Sequence, residues 1–123
     1  FKASFGMLGT TFGGNHLACA AAIAVLDIIQ EENLVANARD VGGYLVEELK
    51  RFDKIKEIRG RGLMIGIELP EELSSVKKDL LTKNRIFTGE AKPNTIRLLP
   101  ALNITKDTAD VFLSALDERL KAV

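Results

Sequence analysis

The sequence predicts an α+β fold: a short, mainly antiparallel sheet with helices on one side, entered by a long helical connector. Three observations predict it. Hydrophobic periodicity runs in the order ααββαββα, and no internal repeat or low-complexity linker interrupts it. The β-branched residues fall in short runs, and the first two, around Gly60-Arg61-Gly62, read as a hairpin. The first helix has almost no polar face, which is the mark of a segment enclosed by protein on all sides.

Asn15 is a good N-cap, and the alanine- and leucine-rich stretch behind it predicts a helix over 16–32, with Asn33 suited to a left-handed C-terminal position. A second helix is predicted over 34–52. Its stripe of Leu34, Ala38, Val41, Leu45 and Leu49 opposes Glu47, Glu48, Lys50 and Arg51, and Gly42 and Gly43 inside it imply close packing or a bend. Runs 55–59 and 63–69 flank Gly60-Arg61-Gly62 as a hairpin, in which Leu63, Ile65 and Ile67 alternate with Met64, Gly66 and Glu68 until Pro70 closes the strand. A short amphipathic helix over 74–84 follows, carried by Val76, Leu80 and Leu81. RIFTG and TIRLLP read as two more strands separated by EAKPN. Thr105 then caps a last helix to 121, with Ala109, Phe112, Leu113, Leu116 and Leu120 on its inner stripe.

Composition narrows the function. The chain has 123 residues, 17 basic residues against 17 acidic ones, and 46% hydrophobic residues, so bulk charge favours neither nucleic acid nor anionic lipid. One cysteine and one histidine exclude an internal disulfide and the usual His/Cys metal spacing. The apolar run from Leu17 to Ile29 is interrupted by Asp27 and is shorter than the ~20 residues of a bilayer span. With no signal-peptide pattern either, a cytoplasmic setting is expected. A glycine-rich loop with nothing before it suggests a piece of a longer protein.

Two places carry candidate chemistry. Gly9, Thr10, Thr11, Gly13, Gly14 and Asn15 put backbone N–H groups and two hydroxyls at the mouth of a helix, an anion-binding arrangement that matches neither a Walker loop nor GxGxxG. The same glycines also suit a plain tight entry. Arg97 is the one charge in an apolar strand and shares a face with Thr95 and Leu99, so it suits either bidentate capture of a carboxylate or simple solvation at an edge. Arg59 and Arg61 read as solvated turn residues, and Cys19 as helix packing.

Taken in order and spacing, GTTFGGNHLACAAAIAVLDII, IKEIRGRGLMIGIEL and NTIRLLPALNIT resemble the C-terminal part of class III, pyridoxal-phosphate-dependent aminotransferases, a fold type I family, and RLLP leans toward its acetylornithine branch. The resemblance implies that 1–33 is the interface loop and connecting helix of a large domain outside the chain, and that 34–123 is the small domain. It implies pyridoxal 5'-phosphate as cofactor and a homodimer. Thr10 and Thr11 would reach the cofactor phosphate of the neighbouring subunit, with Thr11 the better candidate, and Arg97 would bind the substrate α-carboxylate. N-acetylornithine or a related ω-amino compound would be the donor and 2-oxoglutarate the acceptor, as in arginine biosynthesis. The ornithine, succinylornithine and 4-aminobutyrate enzymes are neighbouring possibilities. No catalytic residue falls in the chain, because the Schiff-base lysine belongs upstream and Lys2 sits too near the threonines to be it. The chain alone is therefore expected to be inactive. His16 and Ala101 replace prolines usual in the family, and neither change touches the chemistry. The competing reading is a self-standing α+β module that senses an anion through Thr10 and Thr11.

Overall fold

The computed structural model describes residues 2, 4–7 and 9–122. The elements are α1 (His16–Glu31), α2 (Leu34–Leu49), β1 (Glu57–Arg61), β2 (Met64–Glu68), a 3-10 turn (Glu71–Leu73), α3 (Val76–Asn84), β3 (Gly89–Lys92), β4 (Thr95–Leu98) and α4 (Lys106–Lys121). The chain divides into two compact units, one up to Asn33 and one from Leu34 onward.

The first unit is a turn-rich segment leading into α1. Asn15 Oδ1 accepts from Ala18 N at 3.1 Å, which satisfies one of the helix's unpaired donors and fixes its start. At the other end Asn33 takes φ 52, the left-handed conformation that stops the helix. No residue of α1 is buried, and Leu17, Ile23, Val25, Leu26 and Ile28 are all exposed.

The second unit is the α+β body. Its four strands are ordered β1-β2-β4-β3 and every neighbouring pair is antiparallel. Register sets which residues share a face: Ile58, Ile67 and Ile96 stand opposite one another, as do Ile65 and Leu98. These side chains meet Leu45 and Leu49 of α2, Val76 and Leu80 of α3, and Phe112, Leu116 and Leu120 of α4 in one core. Burying each such aliphatic side chain stabilises the fold by about 1.5–3 kcal/mol before entropy is counted. Thr105 Oγ1 accepts from Thr108 N at 3.2 Å and starts α4 where the sequence predicts.

Two elements differ from the sequence expectation. Gly60 and Arg61 do not form the first turn: both lie in β1, Arg61 pairs with Met64, and the turn is Gly62-Leu63 with Gly62 at φ 56. Gly60 is required within the strand, because a methyl group there would come 2.1 Å from Met64 O. RIFTG is likewise not a strand. Arg85 takes φ 57 at the end of α3, and the pairing begins at Gly89, so the β3–β4 hairpin turns at Pro93-Asn94 with Asn94 at φ 66. A two-residue turn absorbs Pro93 without removing a ladder hydrogen bond, so β3 extends through Ala91 and Lys92 into the proline-containing stretch.

Side-chain bonds tie α2 to the segment after β4. Asn37 Nδ2 donates to Leu102 O at 2.7 Å and to Ile104 O at 3.0 Å, and Tyr44 Oη donates to Asp110 Oδ1 at 2.5 Å. The bond to Asp110, then desolvation, pushes the Tyr44 phenol up from 10.0 to about 12. Because the protonated phenol is the bonded form, this contribution is complete below pH 10 and fades as pH rises toward 12. Tyr44 is the chain's one tyrosine, so a titration followed at 295 nm reports it alone. The expected midpoint is near 12, falling toward about 10 in Asp110→Asn. A midpoint at the ordinary value in the unaltered chain would show that the bond does not form in solution.

Candidate functional site

Thr10 and Thr11 lie on one exposed turn in the first unit, and Arg97 lies on β4 in the second. Around the threonines the chain closes through Gly13 N to Thr10 O at 3.4 Å and Asn15 N to Phe12 O at 3.2 Å. Gly14 takes φ 76, a conformation that favours glycine, and a methyl group on Gly13 would come 2.2 Å from Thr10 Cγ2, so the Thr10 side chain would have to turn. The first turn of α1 carries no acidic side chain to neutralise its partial positive charge. Among the described residues neither threonine hydroxyl is engaged in a hydrogen bond. Two free hydroxyls and uncovered backbone donors at a helix start form a donor set that fits a phosphate.

Arg97 projects from the face of β4 opposite the core. Ile96 and Leu98 are buried while Arg97 and Leu99 are exposed, as alternation predicts; Thr95, on the arginine's side, is nevertheless buried. Register puts Gly66 of β2 and Gly89 of β3 directly beside Arg97, one on each side. Among the described residues the guanidinium makes no ion pair or hydrogen bond. Arg97 also lines a cleft of about 460 Å³ whose walls are otherwise mainly apolar, including Ile86, Phe87, Leu99, Val111 and Phe112. In the same wall Thr88 Oγ1 is buried without a hydrogen-bond partner.

Glu68 is not available to Arg97. In the antiparallel pair Glu68 faces Thr95, two residues along β4 from Arg97, which makes it the arginine's diagonal neighbour. It is already taken: Arg59 Nη1 bonds Glu68 Oε2 at 2.9 Å and Glu57 Oε2 at 2.6 Å, and Lys56 Nζ lies 3.0 Å from Glu68 Oε1. The bond from Arg59 first, and that from Lys56 second, hold the Glu68 carboxyl below its usual range, so it is ionised and occupied at neutral pH. Arg59 is therefore a strand residue in an ion-pair cluster and not the turn residue the sequence suggested. Neither that cluster nor the glycines flanking Arg97 can be found before the register is known; alternation along TIRL gives only the face.

Among the described residues no helix is long and apolar enough to cross a membrane, and no group of His, Cys, Asp and Glu side chains is placed to hold a metal ion.

A chain with an α+β body that leaves Arg97 unpaired beside an apolar cleft, and with a separate hydroxyl-bearing turn before α1, matches a family of transferases. The family model described as "Aminotransferase class-III" matches residues 2–120, and the chain belongs to that pyridoxal-phosphate-dependent family. It is 43% identical over 117 residues to the ornithine aminotransferase of Oceanobacillus iheyensis, covering 94% of this chain and 29% of that protein. It is 42% identical over 120 residues to that of Staphylococcus carnosus, covering 96% and 29%. Among solved structures, the ornithine aminotransferase from Toxoplasma gondii superposes with a TM-score of 0.83 at 30% identity, covering 98% of this chain and 30% of that one. The lysine aminotransferase from M. tuberculosis superposes at 0.84 with 27% identity, covering 94% and 28%. The chain thus spans about 30% of the length of the relatives it matches. Its fold is that of the matching part of fold type I aminotransferases. The two bacterial relatives and the Toxoplasma gondii structure are named for ornithine, and the leaning toward acetylornithine and arginine biosynthesis drawn from RLLP finds no support among them.

Proposed function

We propose that this chain supplies the small domain, 34–123, and the interface loop with connecting helix, 1–33, of a cytoplasmic, homodimeric aminotransferase that moves an amino group from ornithine to 2-oxoglutarate. The observation that carries this reading is Arg97, a strand arginine with glycine on either side and its guanidinium free for a ligand. A planar guanidinium of this kind holds a carboxylate through two parallel N–H···O bonds, which fixes orientation as well as affinity. Held so, an amino or oxo acid presents its reacting carbon in one pose only. Pyridoxal phosphate, when bound, supplies the electron sink for exchanging nitrogen and oxygen at that carbon. The lysine needed for covalent attachment of that group lies in the large domain, so the 123-residue chain is inactive alone.

Thr10 and Thr11 would donate their hydroxyls to the cofactor phosphate of the neighbouring subunit, with the backbone donors at the start of α1 reinforcing them. Such an arrangement also accounts for the exposed apolar side chains of α1, which the large domain and the second subunit would cover. Ornithine is preferred over N-acetylornithine as donor because the relatives that match carry that name.

The reading is tested in the whole protein from which the chain derives. With 2-oxoglutarate as acceptor, turnover of ornithine is expected to exceed that of N-acetylornithine, and the reverse ranking would reassign the donor. Thr11→Ala removes one hydrogen bond to a charged group, worth about 1.5–3 kcal/mol. Cofactor retention on dialysis, followed by its visible absorption, should weaken roughly 10- to 100-fold with KM for 2-oxoglutarate little changed. Unaltered retention would remove Thr11 from the phosphate site. Tight phosphate binding by the 123-residue chain alone would instead favour a self-standing anion sensor.

A further inference from the structure

We propose that Gly89 is a positioning residue for Arg97: by carrying no side chain, it leaves the space on β3 in which the guanidinium lies. The proposal rests on Arg97 being the carboxylate ligand.

The two glycines beside Arg97 are not equivalent. A methyl group placed on Gly89 would come 3.0 Å from Arg97 Nε, 3.3 Å from its Nη2 and 3.2 Å from its backbone O. One placed on Gly66 would meet Arg59 Cγ at 3.6 Å and Thr95 Cγ2 at 3.8 Å, which is ordinary contact. The guanidinium therefore leans toward β3, and Gly89 is the surface it rests on. Backbone conformation does not call for glycine here, since Gly89 is absent from the positive-φ residues. An edge strand gains nothing from glycine's lost entropy and missing side chain, so the free space itself is the feature that needs explaining. In Gly89→Ala the methyl group crowds a flexible side chain and a backbone carbonyl together. The side chain yields first. Pushed from β3 by a few tenths of an ångström, the guanidinium presents its paired donors less well in the pose that orients a substrate.

The test is a double-mutant cycle in the whole enzyme, reading kcat/KM for 2-oxoglutarate together with the cofactor's visible absorption and the thermal midpoint. Gly89→Ala is expected to lower kcat/KM about 3- to 10-fold, mainly through KM, with cofactor absorption retained. Gly66→Ala should change it less than about twofold, since a methyl group there meets only ordinary contacts. In the Arg97→Ala background Gly89→Ala should cause no further loss. An equal loss with and without Arg97 would overturn the proposal, because it would show a structural role independent of the guanidinium. If Gly89→Ala fails to fold, the double variant decides. Folding restored by Arg97→Ala supports a clash with the guanidinium, whereas a double variant that also fails places the clash on the backbone and overturns the proposal. Arg97→Ala leaving kcat/KM unchanged would instead overturn the carboxylate assignment itself.

Discussion

Arg97→Ala in the whole enzyme is expected to lower kcat/KM for 2-oxoglutarate roughly 100- to 1000-fold, with cofactor absorption and thermal midpoint close to those of the unaltered protein. The magnitude follows from two charge-assisted hydrogen bonds at about 1.5–3 kcal/mol each, discounted for partial solvent exposure to about 3–4 kcal/mol in total, and each 1.4 kcal/mol is tenfold in rate. The expectation of little structural cost follows from the surroundings. Arg97 is exposed and makes no ion pair among the described residues, so its removal strands no partner charge and opens no core cavity. Arg97→Lys should recover only part of the loss, because an ammonium supplies charge without the planar fork. Normal efficiency in Arg97→Ala would show that the carboxylate is held elsewhere.

Much of this site was legible in the sequence because it depends on period two. Once TIRLLP is read as a strand, Ile96 and Leu98 must face the core and Arg97 must face away, and the structure agrees. Helix α4 was equally plain: its five inner-stripe residues, from Ala109 to Leu120, are all buried, and Thr105 caps it. Cross-strand neighbours were not legible, because register depends on where each turn falls. The first turn falls at Gly62-Leu63 rather than over Gly60-Arg61-Gly62, and β3 runs over Gly89–Lys92 rather than 85–89; those shifts decide that Gly66 and Gly89 flank Arg97 while Arg59 reaches Glu68. The all-round apolarity of α1 was also read correctly as a feature of sequence, yet apolarity alone identifies no partner, and its side chains stand exposed. The donor was less legible: the relatives at 42–44% identity are ornithine aminotransferases, one of the alternatives the resemblance left open, whereas the leaning toward N-acetylornithine rested on RLLP alone.

Gly42 and Gly43 are adjacent in α2, yet alanine at the two positions is expected to change stability in opposite directions. Helix propensity alone predicts a gain of about 0.5–1 kcal/mol at each, because alanine loses less backbone entropy than glycine on folding. Gly43 is exposed and a methyl group there meets nothing within 4 Å, so Gly43→Ala should realise that gain. Gly42 is buried against the β1–β2 turn. A methyl group there would come 2.2 Å from Gly62 O and 2.4 Å from Gly62 C, and these are backbone atoms that cannot turn aside as a side chain would. Nor can the turn easily reshape, because Gly62 holds φ 56 and Leu63 beside it is buried in the core. The overpacking cost of about 1–3 kcal/mol, or somewhat more where backbone must move, therefore exceeds the propensity gain. Denaturant unfolding should give Gly42→Ala a midpoint below the unaltered chain and Gly43→Ala one above it. The consequence extends to the site, since the β1–β2 hairpin pressed on Gly42 also carries Gly66, the partner of Arg97 across the sheet. If Gly42→Ala proved as stabilising as Gly43→Ala, the close approach of α2 to the hairpin, and with it the placement of the sheet against that helix, would be wrong.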